Sequence, residues 1–143
     1  MHYLVKYLEK LYKLKEERGF KTLYFMIDIH NTVLVPSYSK EEKYIYFPYA
    51  KEVLQLLSKQ DDVRLIMWTS SHQDMVEKYL EHFRSEGVSF DYVNCNPEIF
   101  NDNLRCLDIK FYYDLGIDDK FGFDAIEDWK YLLDFFEKYI KSH

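Results

Sequence analysis

The run Leu23-Tyr24-Phe25-Met26-Ile27 is apolar at every position and stops abruptly at Asp28. A strand with one wet face alternates; a continuous apolar run of this length suits a strand buried on both faces of a parallel sheet. The pattern recurs. Val63-Arg64-Leu65-Ile66-Met67-Trp68 runs into Thr69-Ser70-Ser71, and the stretch Tyr112 to Ile117 runs into Asp118-Asp119. A shorter run, Phe90 to Val93, precedes an Asn-rich loop from Asn94 to Asn103.

Helical patterns separate these runs. Residues 3–18 place Leu4, Leu8, Leu11 and Tyr12 at helical spacing, with Gly19 positioned to stop the helix. Pro48 opens a helix through about Lys59 whose apolar face is Val53, Leu54, Leu56 and Leu57. Ser71 with Asp74 reads as a capping box for a helix bearing Met75, Val76, Tyr79, Leu80 and Phe83. Asp124 with Glu127 caps a last helix carrying Ile126, Trp129, Leu132, Leu133, Phe136 and Ile140. Residues 29–47 lack periodicity and read as a loop or small flap, in which Tyr38, Tyr44 and Tyr46 offer rings to a ligand, as does Tyr49 beside it.

Strand–helix alternation predicts one α/β domain over residues 1–143. The expected form is a three-layer Rossmann-like sandwich around a parallel sheet of four or more strands, with the Asp28 strand near its centre and no separate cap domain. The terminal helices fall at 1–19 and 124–141. In such sheets ligands bind at the carboxyl ends of the strands. Asp28 with His30 and Thr32, Thr69 with Ser70 and Ser71, and Asp118 with Asp119 all fall there. Gathered carboxylates need a cation, and an all-oxygen donor set favours Mg²⁺.

The net charge of -6 disfavours nucleic acid and anionic lipid as partners. No apolar run is long enough to span a bilayer, and the charged N-terminal segment lacks a signal peptide's apolar core, so cytoplasmic residence is the default expectation. Two cysteines, Cys95 and Cys106, could pair in principle but make no disulfide framework, and neither has a second cysteine at zinc-finger spacing. His72 and His82 read as exposed helical residues without a metal-spaced partner. The amphipathic first helix packs on the domain or on a second copy, which leaves a homo-oligomer open.

Three segments together resemble the motifs of the haloacid dehalogenase-like superfamily. Tyr24-Phe-Met-Ile-Asp28-Ile-His30-Asn-Thr32 is similar to its first motif, Leu65-Ile-Met-Trp-Thr69 to its second, and Tyr113-Asp-Leu-Gly-Ile-Asp118-Asp119 to its acidic fourth. Lys110 stands for the third-motif lysine, with Arg105 or Lys120 as substitutes. The resemblance spans roughly Thr22 to Ile126. It implies a phosphatase-like activity on a phosphate monoester of unknown identity, with Asp28 as nucleophile through an aspartyl-phosphate. It further implies Mg²⁺ held by Asp28, the His30 carbonyl, Asp118 and Asp119, a phosphoryl contact from Thr69, and charge neutralisation by Lys110. Capless relatives tend to act on large substrates or to borrow a lid by oligomerising.

His30 departs from the pattern, because phosphatases of this class carry a second carboxylate there as general acid and base. An imidazole can serve the same transfers. The other reading is a slow or non-catalytic phosphate-binding module. A phospho-accepting receiver domain also uses a strand-end Asp and paired acids, but there the acid pair follows the first strand; here it follows the last.

Overall fold

The structure, a computed structural model, describes residues 2–37, 41–99 and 111–142. Its elements in chain order are α1 (Tyr3–Arg18), β1 (Leu23–Asp28), α2 (Ala50–Ser58), β2 (Val63–Trp68), α3 (Gln73–Ser85), β3 (Tyr92–Val93), β4 (Leu115–Ile117) and α4 (Asp128–Ser142). The four strands form one parallel sheet in the order β3-β2-β1-β4, so β1 is an interior strand with a neighbour on each side. The architecture is the three-layer Rossmann-like α/β sandwich that the alternation predicts. No helix among the described residues is long and apolar enough to cross a membrane.

The period-two geometry of strands sorts β1 into two faces. Leu23, Phe25 and Ile27 join Leu65, Met67 and Ile117 in the main core, against Leu8 of α1, Leu54 of α2, and Trp129 and Phe136 of α4. Each such buried side chain contributes about 1.5–3 kcal/mol of transfer free energy. On the other face Tyr24 meets the β3–β4 connection, where its hydroxyl donates to Glu98 (3.1 Å) and its ring packs edge-on against Tyr112. Burial on both faces explains why the run is apolar throughout.

Helix ends reveal where local signals were overridden. Gly19 does terminate α1, in the left-handed conformation that glycine adopts without strain (φ 71°). By contrast α2 begins at Ala50: Pro48 and Tyr49 form a turn closed by Ala50 N–H to the Phe47 carbonyl (3.1 Å). Ser71 does not cap α3, because its N–H and hydroxyl are both engaged with Thr69, and the helix starts one residue beyond His72. Asp124 accepts from Ile126 N–H (3.0 Å) and Glu127 N–H (3.3 Å), which shapes the turn leading into α4.

The outer strands are shorter than their apolar runs. At the start of β3 the Asp91 carboxylate accepts the Leu65 N–H (2.8 Å), and before β4 the Asp114 carboxylate accepts the Tyr24 N–H (2.8 Å). In both places a side chain takes the ladder hydrogen bond that a further strand residue's carbonyl would have taken.

Candidate active site

Register builds the site. Ile27 of β1 is opposite Ile117 of β4, so the chain leaves the sheet at neighbouring points with Asp28 and Asp118 as adjacent residues. On the other side Asp28 is paired with Trp68, which puts Thr69 next in line. Three strand ends thus deliver their polar residues to one edge of the sheet, as expected for an open α/β fold. Asp28, Asp118 and Asp119 each offer a carboxylate oxygen within 4.8 Å of the others.

A buried threonine holds this cluster together. The Thr32 hydroxyl donates to Asp28 Oδ2 (2.9 Å), lies 3.3 Å from Asp119 Oδ1, and accepts the Asp119 N–H (3.0 Å). Thr32 is 0% exposed, and its own carbonyl accepts the indole N–H of Trp129 (2.7 Å). Asp118 is 4% exposed and caps the turn Asp119–Phe121, accepting the Lys120 N–H at 2.9 Å. The sequence places Thr32 at the strand end without giving it a role; its linkage of the first and last motifs is visible only in three dimensions.

Electrostatics follow from this crowding. Burial pushes the Asp28 carboxyl up to about 7, the negative charges of Asp118 and Asp119 add to the effect, and the Thr32 hydrogen bond opposes it. Burial and Asp119 likewise raise the Asp118 carboxyl, against the Lys120 N–H and the Lys120 charge. Among the described residues no Lys, Arg or His forms an ion pair with any of the three.

A cleft of ≈ 400 Å³ opens beside the cluster, lined by Asp28, Trp68, Thr69, Ser70, Asn94, Asp118 and Lys120. Asn94, in a left-handed conformation (φ 54°), clamps the end of β2: its side chain accepts the Thr69 N–H (2.9 Å) and donates to the Thr69 carbonyl (2.7 Å). That clamp was not legible in the sequence beyond the Asn-rich character of the loop. The Thr69 hydroxyl is not left free by a Ser71 cap; it donates to Ser71 Oγ (3.0 Å) and accepts the Ser71 N–H (3.1 Å). It still borders the cleft and retains acceptor capacity. Of the three cations considered for phosphate neutralisation, Lys120 lines the cleft, while Lys110 and Arg105 lie outside the described residues.

His30 is drawn to α3. Its Nε2 lies 2.6 Å from the hydroxyl of Tyr79, and its imidazole is outside the carboxylate cluster. The flap beyond it is pinned to the same helix. Tyr44 stacks on His82 (centroids 3.8 Å apart, planes at 13°), and the Tyr46 hydroxyl donates to Glu86 (2.8 Å). His82 is therefore a packed residue, unlike His72, which is exposed. Tyr49 is exposed, and Tyr38 lies outside the described residues.

No family model matches this chain, and no curated protein does. A solved structure of a conserved protein from Bacteroides thetaiotaomicron is similar to it, with a TM-score of 0.61 and 24% sequence identity. The likeness covers 82% of this chain and 91% of that one. It establishes the shared fold.

Proposed function

We propose that this chain is a Mg²⁺-dependent phosphohydrolase of the haloacid dehalogenase-like class, acting on a phosphate monoester with Asp28 as nucleophile. The observation that carries the reading is the convergence of Asp28, Asp118 and Asp119 at the carboxyl edge of the sheet, beside a cleft bordered by Thr69 and Lys120. The motif resemblance of the same residues also supports it.

The donor set fits the ion. Three carboxylates without an ion-pair partner among the described residues, two of them pushed toward their neutral forms, make a site whose charge a bound cation would stabilise. Oxygen ligands suit a hard divalent cation, and the His30 carbonyl is a fourth expected donor. Bound there, Mg²⁺ would offset repulsion between the anionic nucleophile and an anionic phosphate.

The chain's own groups divide the remaining work. Thr32 fixes the Asp28 carboxylate through Oδ2, which orients it for attack on phosphorus. A new Asp28 O–P bond forms as the ester P–O bond breaks, and the leaving oxygen takes up a proton; water then attacks phosphorus and releases phosphate from Asp28. Lys120, at the cleft wall, is the described cation able to balance phosphoryl charge. His30 is the imidazole nearest in sequence to the nucleophile and takes the acid–base role.

One observation favours a second reading, a phosphate-binding module with little or no turnover: the position two residues after Asp28 holds an imidazole already bonded to Tyr79. Phosphate release from an aryl phosphate and a panel of metabolite phosphates separates the two. Wild type, Asp28→Asn and His30→Ala are compared with Mg²⁺ and with EDTA. Metal-dependent turnover abolished by Asp28→Asn is the expected result. Metal binding without turnover selects the binding module, and loss of both sinks the site assignment.

A further inference from the structure

Tyr79 sits on the apolar stripe of α3 and by sequence belongs to the core. It is 2% exposed, yet its hydroxyl is spent on a polar contact: His30 Nε2 at 2.6 Å. The Ser71 side chain neighbours that hydroxyl, and Ser71 Oγ accepts the Thr69 hydroxyl at 3.0 Å. Tyr79 thus lies between the Thr69–Ser71 pair at the end of β2 and His30, two residues beyond Asp28.

A tyrosine hydroxyl has one proton to give. Among the described residues, the acceptor within hydrogen-bond distance of the buried Tyr79 hydroxyl is His30 Nε2. Leaving a buried hydroxyl proton without an acceptor is costly. That contact assigns Nε2 as the accepting nitrogen and the ring proton to Nδ1. Nδ1 makes no hydrogen bond among the described residues and is not sealed from solvent.

We propose that Tyr79 is a positioning residue: through its hydroxyl it fixes the ring orientation and the Nδ1–H tautomer of His30. The inference rests on the reading of His30 as the acid–base group. Its physical consequence is preorganisation, in that one defined nitrogen, already bearing the proton, is presented away from the Tyr79 hydroxyl without a rotamer search. It also gives a reason for a tyrosine at a core position where phenylalanine would fill the same space. The aromatic packing of that ring, edge-on to Tyr44 and tilted on Phe83, is retained by the Tyr79→Phe variant.

The test uses ¹⁵N-histidine-labelled full-length protein and long-range ¹H–¹⁵N spectra, with the His30 signals assigned by their loss in His30→Ala. Wild type is expected to show the Nδ1–H tautomer, and Tyr79→Phe a shift toward the Nε2–H form that an unconstrained histidine prefers. A wild-type Nε2–H tautomer overturns the proposal, as does a tautomer unchanged by Tyr79→Phe. In turnover assays Tyr79→Phe should lower kcat by about 10- to 100-fold with KM within about 2-fold, at or below the smallest effect typical of losing a positioned acid or base. In the His30→Ala background it should have no further effect. An equal loss in both backgrounds overturns the positioning role. Absence of turnover in wild type refutes the phosphatase reading alone, since the tautomer readout needs no activity.

Discussion

Lowering the pH from 8 to 6 should weaken Mg²⁺ binding by about tenfold, because a proton and the metal compete for Asp28. The magnitude follows from the carboxyl pushed up to about 7. A group titrating there is roughly nine-tenths ionised at pH 8, half at pH 7 and one-tenth at pH 6. An aspartate left at its usual value would be ionised throughout and would give no such dependence. Calorimetric titration with Mg²⁺ at pH 6, 7 and 8, in two buffers of different ionisation heat, reads affinity and proton release together. About half a proton should leave per metal bound at pH 7, nearly none at pH 8 and close to one at pH 6. Affinity constant across this range refutes the reasoning, as does a slope that survives Asp28→Asn. The metal-free protein carries the opposite sign. Its folded state holds a proton on Asp28 from about pH 7 downward, whereas the unfolded chain takes that proton up only near pH 4. Stability in EDTA should therefore rise as pH falls from 7 to 4, an advantage already lost at pH above 7. The raised Asp118 carboxyl acts in the same direction.

Three substitutions probe the supports. Thr32→Val keeps the buried shape but leaves the Asp119 N–H and Asp28 Oδ2 without their partner; a loss of about 1–3 kcal/mol in urea unfolding is expected, with the Asp28 carboxyl driven higher still. Asn94→Ala releases both backbone groups of Thr69 on an exposed edge, so stability should fall by about 1 kcal/mol or less, while Mg²⁺-dependent phosphate release drops through a misplaced Thr69. Asp128→Ala removes the acceptor of His2, Tyr3 and the Asp124 N–H at a 5% exposed position; thermal melts should show a loss of about 1–3 kcal/mol without a change in Mg²⁺ affinity.

The sheet could be read from the chain because its signal is local. Leu23 to Ile27 is apolar on both faces, and that pattern has few other homes. The polar residues that terminate the strands were legible for the same reason, and parallel order alone brings Asp28 and Asp118 to one edge. What could not be read are the choices made between segments distant in the chain. Ser71 and Asp74 carry a helix-start signature, yet the hydroxyl of Thr69 captures Ser71 first. Tyr79 satisfies the helical apolar stripe, and nothing in that stripe reveals a partner 49 residues away. Asp91 and Asp114 shorten β3 and β4 by taking ladder hydrogen bonds with side chains, a device that hydrophobic patterning does not register.

The carboxylate cluster is best understood against the rest of the surface. Several acids elsewhere among the described residues find cationic partners: Asp62 pairs with Lys15 (3.2 Å), Glu98 with Arg64 (3.0 Å), and Asp128 with His2 (2.9 Å). Asp28, Asp118 and Asp119 instead face one another, inside hydrogen bonds from Thr32 and the Lys120 N–H that fix them in place. A merely tolerated acidic patch would spread into solvent, where like charges separate and are screened. Here burial and tethering prevent that relaxation, and burial first, with the neighbouring negative charges adding to it, raises the Asp28 and Asp118 carboxyls. A tethered, partly buried carboxylate cluster at the strand ends is the arrangement on which the proposed cation site rests.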